Sequence, residues 1–287
     1  SEPIMRSLLI VLSAVSALLV SCSIKEDRSE CPCRLRLDLS PVDANVVGGK
    51  LLLSIRNEDG FSYSDTVDLS VGTGLLEVKV PRTGVRVNLW SCEAADFVGE
   101  DGLVIPFGDE CPSVRMFSSY VDTDCETCTE TVGIIKNYCR LTVMLDESDK
   151  YWPYELNVSG NIDGYRIDGT PRTGEFSHYL VPPDEVSSTK KEAQLPWLED
   201  NLPGSRETAL VRELSLPRQK DASLKLSVLE KTSVLKTFAL GNYICQSGYD
   251  WTAENLQDIV VKIDYACTRV SIVVGPWEHS YDVDIEF

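Results

Sequence analysis

Short segments in which apolar and polar residues alternate run through this sequence, and their period of two constrains the fold most strongly. The clearest begins at Arg34 and places Leu35, Leu37 and Leu39 on one face. Similar apolar or alternating segments cover 50–55, 65–71, 75–80, 84–90 and 140–145. Gly, Pro and Asp turns separate these segments. Short strands at this spacing predict a β-sandwich or a barrel.

The second half of the chain carries further segments of the same kind. Strands are predicted over 154–159, 165–167, 209–216, 223–229, 234–244, 259–265 and 269–274, with a long loop over 187–205. A short helical turn is predicted to begin at Thr252. About 265 residues follow the first 21, which is natural for two domains of ordinary size. We therefore predict an all-β protein with two β-sandwich domains in series, at 34–148 and 149–287.

The first 21 residues have the pattern of a targeting segment. Arg6 precedes the uncharged stretch 7–20, which is too short to span a bilayer comfortably and ends in small residues. Leu19-Val20-Ser21-Cys22 then has the form of a lipobox. We predict a signal peptide over 1–21, a lipid on Cys22 and a tether over 22–33. The alternative is an ordinary secretory signal, with Cys22 in a disulfide.

The chain has ten cysteines, and an exported protein is expected to use them in disulfides. Once Cys22 is set aside, an odd number remains: Cys31, Cys33, Cys92, Cys111, Cys125, Cys128, Cys139, Cys245 and Cys267. Cys31 and Cys33 are too close to pair easily with each other, so we expect each to link the first strand to its domain. A zinc site or a redox-active Cys125–Cys128 pair is the alternative, and export favours structural disulfides.

Several classes of function find no support in the sequence. Lys and Arg number 27 against 45 Asp and Glu, and the net charge of −18 argues against a nucleic-acid partner. The two histidines, His178 and His279, are far apart, and neither a phosphate-binding loop nor a nucleophile elbow occurs. The acidic segment 122–130 lacks the spacing of a calcium loop. We therefore expect a non-enzymatic protein without a metal or other cofactor.

The start of the mature chain resembles a known family. The sequence from Cys22 to Arg28 includes Lys25-Glu26-Asp27, which resembles a surface-export signal of Bacteroidota lipoproteins. Together with Glu30-Cys31-Pro32-Cys33-Arg34-Leu35, it is similar to the mature N-terminus of FimB-type fimbrial anchor lipoproteins of Bacteroidales. The resemblance extends more loosely over the rest of the chain, including 84–90 and 270–277. The cysteine richness of this chain departs from the family.

The resemblance implies two transthyretin-like β-sandwich domains and an anchor role in type V fimbriae. In the stalk relatives, removal of the first strand opens a groove, and the C-terminal strand of a neighbouring subunit fills it. An anchor keeps its lipidated N-terminus, ends the polymer at the outer membrane and limits fimbrial length. The implied partners are a fimbrial stalk subunit and the outer membrane, with the protein facing the cell exterior. Cys22 is the residue that carries over as a site.

The last residues of the sequence alternate to the end. Tyr281, Val283, Ile285 and Phe287 share one face, and acidic residues occupy the other. This pattern is what strand addition to a partner requires, so the segment is a candidate donor strand. It equally fits the last strand of the second domain's own sheet.

The expected function is therefore a lipid-anchored fimbrial subunit that holds a stalk by strand complementation. One alternative is a glycan-binding surface lipoprotein of a polysaccharide-uptake system, which would need exposed aromatic side chains such as Trp197, Trp251 or Trp277. The other is a tip or accessory subunit of a fimbria.

Overall fold

The structure, a computed structural model, describes residues 31–70, 74–146, 155–180, 209–263, 269–274 and 277–282. In this part of the chain the first strands are β1 (Cys33–Asp38), β2 (Lys50–Arg56), β3 (Ser62–Asp68), β4 (Leu75–Val80), β5 (Val85–Ser91), β6 (Val98–Gly99), β7 (Gly102–Val104), β8 (Arg115–Val121), β9 (Thr127–Thr131) and β10 (Ile135–Lys136). They are followed by β11 (Tyr138–Asp146), β12 (Glu155–Arg166), β13 (Pro171–Leu180), β14 (Ala209–Pro217), β15 (Lys225–Glu230), β16 (Ser233–Phe238), β17 (Ile259–Ile263), β18 (Arg269–Val274) and β19 (Trp277–Asp282).

Within the described ranges, two short helices interrupt these strands. A 3₁₀ helix spans Cys92–Phe97, and the α-helix α1 spans Leu240–Gln246. Among the described residues, no helix is both long and apolar enough to cross a membrane.

The N-terminal sandwich packs a three-stranded sheet against a five-stranded sheet. Their strand orders are β4–β1–β9 and β10–β8–β5–β2–β3. Leu35 and Leu37 from the first sheet and Val85, Val87 and Leu89 from the second are fully buried in one core. These are the residues whose alternation predicted inward-facing positions, because every second side chain of a strand points to the same face.

The C-terminal sandwich is built in the same way around a second core. One sheet has the order β14–β11–β17–β18–β19, and the other has the order β16–β15–β12–β7–β6 with β13 also paired to β12. Val143 and Val261 from the first sheet and Leu156, Phe176 and Leu226 from the second are buried in this core. The predicted all-β sandwich class is confirmed.

Strands β7 and β11, which precede residue 148, the expected domain boundary, belong to the C-terminal sandwich. β11 lies within 34–148, yet it pairs with β14 and β17 in the C-terminal sandwich. β7 also pairs with β12, and Leu103 and Ile105 are buried in the second core. The alternation in β11 identifies a strand but carries no information on its partners, so the sequence alone did not assign β11 to the second sandwich.

Three local predictions also differ from the structure. The two strands expected over 154–159 and 165–167 form one strand, β12, with irregular register near Gly160 and Gly164. The strand expected over 234–244 ends at Phe238, and α1 follows. The helical turn expected at Thr252 is a non-helical turn, in which the Thr252 backbone N–H donates to Asp250 Oδ1 at 2.8 Å.

Candidate functional site

The first strand, β1, lies in the middle of its sheet, where the tether enters the folded body. It pairs antiparallel with β4, for example Leu37 with Leu76, and parallel with β9, for example Leu35 with Cys128. Cys33, Leu35 and Leu37 are fully buried. The backbone of β1 is therefore hydrogen-bonded on both edges, and its apolar face is covered by the core.

Three cysteines meet where β1 begins. Cys33 Sγ lies 3.5 Å from Cys128 Sγ and 3.7 Å from Cys125 Sγ, and the three sulfurs lie within 4.8 Å of one another. Cys33 is buried, whereas Cys125 and Cys128 are half-buried. From the sequence, the Cys31/Cys33 pair and the Cys125/Cys128 pair were treated separately. The sequence did not predict that Cys33 lies next to Cys125 and Cys128.

Burial keeps two of these thiols in the neutral form. It raises the pKa of the Cys33 thiol, and together with the adjacent Cys33 and Cys125 it raises the pKa of Cys128 to about 12. A buried thiolate loses its hydration, which disfavours the charged form. Both shifts favour the neutral thiol over the thiolate.

The loop before β9 is held in position by its own hydrogen bonds. The buried Thr123 hydroxyl donates to the Pro81 carbonyl at 2.6 Å and accepts from the Gly84 backbone N–H at 3.0 Å. The Cys125 backbone N–H donates to the Thr123 carbonyl at 2.7 Å. These contacts attach the segment that carries Cys125 to the turn that follows β4.

The expected disulfides are not formed among the described cysteines. Cys31 and Cys245 are exposed, Cys92 is half-buried, and Cys111 and Cys139 are buried; all of these, like the three clustered residues, are free thiols. Burial raises the pKa of Cys111 and that of Cys139, the latter to about 12, so both behave as apolar core residues. Cys267 lies outside the described residues.

The predicted lipidation site and most of the candidate donor strand also lie outside the described residues. These residues are Cys22, Val283, Ile285 and Phe287. Tyr281 lies in β19, where it stands opposite Val270 of β18 in an antiparallel ladder. The first two residues of the alternating C-terminal segment, Tyr281 and Asp282, thus form the end of the edge strand β19.

Trp90 and Trp251, the tryptophans whose side chains the structure describes, do not form an aromatic platform. Trp90 is 1% exposed and Trp251 is 9% exposed, so both are core residues. Trp152 and Trp197 lie outside the described residues, and Trp277 begins β19. Exposed apolar side chains that sequence reasoning missed include Val234 and Leu235 on β16, which is the edge strand of its sheet.

A cleft of about 590 Å³ lies beside the second core. Its lining includes Glu110, Cys111, Arg140 and Glu213. Glu110 accepts a hydrogen bond from the Ser215 backbone N–H, and the neighbouring Cys111 thiol has a raised pKa. A thiol in this state is a poor nucleophile, because reactivity requires the thiolate.

Comparison with known proteins identifies relatives in structure but not in sequence. No protein-family model matches the chain, and no curated protein matches it. The fimbrial anchor protein Mfa2 from Porphyromonas gingivalis superimposes with a TM-score of 0.57 at 15% identity, covering 88% of this chain and 100% of that one.

Two other solved structures are equally similar. A candidate adhesin from Bacteroides ovatus has a TM-score of 0.58 at 14% identity, covering 90% of this chain and 97% of its own. A candidate polysaccharide-binding protein from Bacteroides thetaiotaomicron has a TM-score of 0.58 at 16% identity, covering 87% and 98%. The chain therefore shares its fold, over nearly its whole length, with a fimbrial anchor protein, a candidate adhesin and a candidate polysaccharide-binding protein.

Proposed function

We propose that this protein is the anchor subunit of a surface fimbria, held in the outer membrane by a lipid on Cys22. The observation that carries the proposal is the position of β1, which follows the tether directly and lies buried at the centre of its sheet. The shared fold with a fimbrial anchor protein supports it. The N-terminal motifs around Cys22 and Cys33 support it independently.

A first sandwich in which β1 already occupies the strand-accepting groove would explain how an anchor ends a polymer. In the stalk relatives, the groove that accepts a neighbour's strand opens only when the first strand is lost. Here β1 pairs on both edges with β4 and β9, and Leu35 and Leu37 fill the core beneath it. If β1 stays linked to a lipid, this sandwich offers no groove, and growth of the fimbria stops at this subunit.

The C-terminal segment is then the part of the chain that engages the stalk. Val283, Ile285 and Phe287 would enter the groove of a stalk subunit, with the acidic residues facing water, while Tyr281 stays in β19 opposite Val270. Burying three apolar side chains of this kind contributes roughly 5–9 kcal/mol before ordering costs. Because β19 already pairs with β18 as far as Asp282, the residues after it are the ones that a partner can take up.

In this proposal the protein is non-enzymatic and binds through strands rather than through a catalytic pocket. Glycan binding is the second candidate function, since one protein of the same fold is a candidate polysaccharide-binding protein. The burial of Trp90 and Trp251 removes two indoles that a sugar could stack on. A tip or accessory subunit differs from an anchor in its position along the fimbria, which immunogold labelling at the cell surface would reveal.

Lipidation is tested by metabolic labelling with palmitate. We expect the wild-type chain and a Cys31→Ala control to carry the label, and the Cys22→Ala chain to carry none. The unlabelled chain should leave the membrane fraction, since two or three acyl chains are what hold such a protein there. Equal labelling of wild type and Cys22→Ala would refute the anchor.

Strand donation is tested by removing residues 283–287, which leaves β19 intact. We expect this deletion to abolish binding to a stalk subunit that lacks its first strand, while the melting temperature of the full chain stays unchanged. Ile285→Asp should have the same effect, and Glu286→Gln on the opposite face should bind normally. Retained binding by the deletion variant would contradict donation, and so would loss of the folded second sandwich.

A further inference from the structure

We propose that Cys33, Cys125 and Cys128 form a binding site for a thiophilic divalent cation of the Zn²⁺ class. The three sulfurs converge from two different parts of the chain at the point where β1 enters its sheet. Cys125 and Cys128 have the two-residue spacing of a zinc-binding cysteine pair, and Cys33 supplies a third sulfur from the neighbouring strand.

The distances between the sulfurs fit a shared metal ion. Zinc binds thiolates at about 2.3 Å in a tetrahedral arrangement, which places pairs of sulfur atoms about 3.8 Å apart. The observed separations are 3.5 Å for Cys33–Cys128 and 3.7 Å for Cys33–Cys125. Bonded cysteine sulfurs are only about 2.0 Å apart. The observed separations are therefore close to those of sulfurs that share one zinc ion, and they are too long for a disulfide bond.

The number of sulfurs also favours a metal over a disulfide. A disulfide within the cluster would use two of the three thiols and leave the third beside it. A metal uses all three, and structural zinc takes a fourth ligand. Cys31, two residues before Cys33, is exposed and is not among the sulfurs that converge here, so water is the expected fourth ligand.

The surrounding structure holds the ligands in place without the ion. The Arg34 backbone N–H donates to the Glu126 carbonyl at 2.9 Å, which sets Cys33 between the two cysteines of the other segment. Thr123 fixes the loop that precedes Cys125 through its bonds to Pro81 and Gly84. Because Cys125 and Cys128 are half-buried, an ion can reach the site from solvent.

The site would join β1 to β9 at the end of the tether. Cys33, Cys125 and Cys128 each release a thiol proton to solvent when they bind the ion as thiolates, and binding is coupled to folding of the sheet. The cluster does not involve the lipid, so a Cys22→Ala chain should still bind metal. Loss of metal and loss of anchoring are therefore separable results.

The test uses the full chain, purified with and without reductant, and measures bound metal by elemental mass spectrometry. We expect equimolar Zn²⁺ in the wild type and background levels in Cys33→Ser, Cys125→Ser and Cys128→Ser. Cys245→Ser, at an exposed position in α1, is the matched control and should keep its metal. Circular dichroism tests whether each variant is folded. Cys125→Ser changes a half-buried residue, so it should disturb the core less than Cys33→Ser, which changes a buried one.

A second readout is titration with Co²⁺, followed by the sulfur-to-cobalt charge-transfer absorption. We expect this band in the reduced wild type and its loss in Cys125→Ser. The proposal is overturned if the wild type binds no metal by either method, or if the cysteine variants bind as much as Cys245→Ser does. It is equally overturned if peptide mapping of the unreduced chain finds Cys33 joined to Cys125 or Cys128.

Discussion

Replacing Leu35 with alanine is expected to lower the free energy of unfolding of the N-terminal sandwich by about 2–5 kcal/mol. Leu35 is fully buried in the middle of β1, opposite Val78 of β4 and Cys128 of β9. Truncation removes buried methyl groups and leaves a cavity, because strands paired on both edges cannot collapse into the space. Urea denaturation of the full chain measures the change.

The matched control is Arg34→Ala, one residue earlier on the exposed face of the same strand. Its effect should be below about 0.5 kcal/mol, as for most surface substitutions. Hydrogen exchange at the amides of β1, β4 and β9 should show that Leu35→Ala weakens this sheet first. If the two variants are equally stable, β1 is not part of the folded core, and the argument for a filled groove fails.

Replacing Arg218 with methionine is expected to destabilise the C-terminal sandwich by about 2–4 kcal/mol, because it removes several hydrogen bonds from a charged donor. The Arg218 guanidinium donates to Asn137 Oδ1 and to the carbonyls of Trp251, Ala253 and Glu254. It thus joins the segment after β14 to the residue before β11 and to the turn after α1. Methionine keeps much of the apolar volume but cannot satisfy these acceptors.

Thermal unfolding of the full chain, followed by circular dichroism, measures this second effect. Arg166→Met is the control, since Arg166 is exposed at the end of β12. We expect its melting temperature to match that of the wild type. A melting temperature for Arg218→Met equal to that of Arg166→Met would show that the hydrogen bonds of Arg218 do not stabilise the fold.

Strands with one buried face were predictable from the sequence. β1 and β4 alternate between core and solvent, so the period of two located each of them to within one residue. In β5, Val85, Val87 and Leu89 point inward as predicted, but Asn88 and Trp90 on the other face are buried as well. β9 was missed, because Thr127–Thr131 contains no large apolar residue and its side chains are exposed or half-buried. α1 was also missed, because its apolar residues continue those of β16 without a polar break.

Local sequence patterns could not predict which strands pair with one another. The parallel contact between β1 and β9 joins residues more than 90 positions apart, as Cys33 and Cys125 show. β11 likewise pairs with β17, more than 100 residues later in the chain. Such pairings depend on which sheets form around each core, so both the division between the sandwiches and the cysteine cluster required the structure.

The most direct test of the anchor proposal is the location of fimbriae in a strain that carries Cys22→Ala. Whole cells and cell-free medium are compared for fimbriae by electron microscopy and by immunoblotting of the stalk subunit. If the protein ends the polymer and holds it through its lipid, fimbriae should be found detached in the medium. Fimbriae that remain attached to cells in normal number would contradict the proposal.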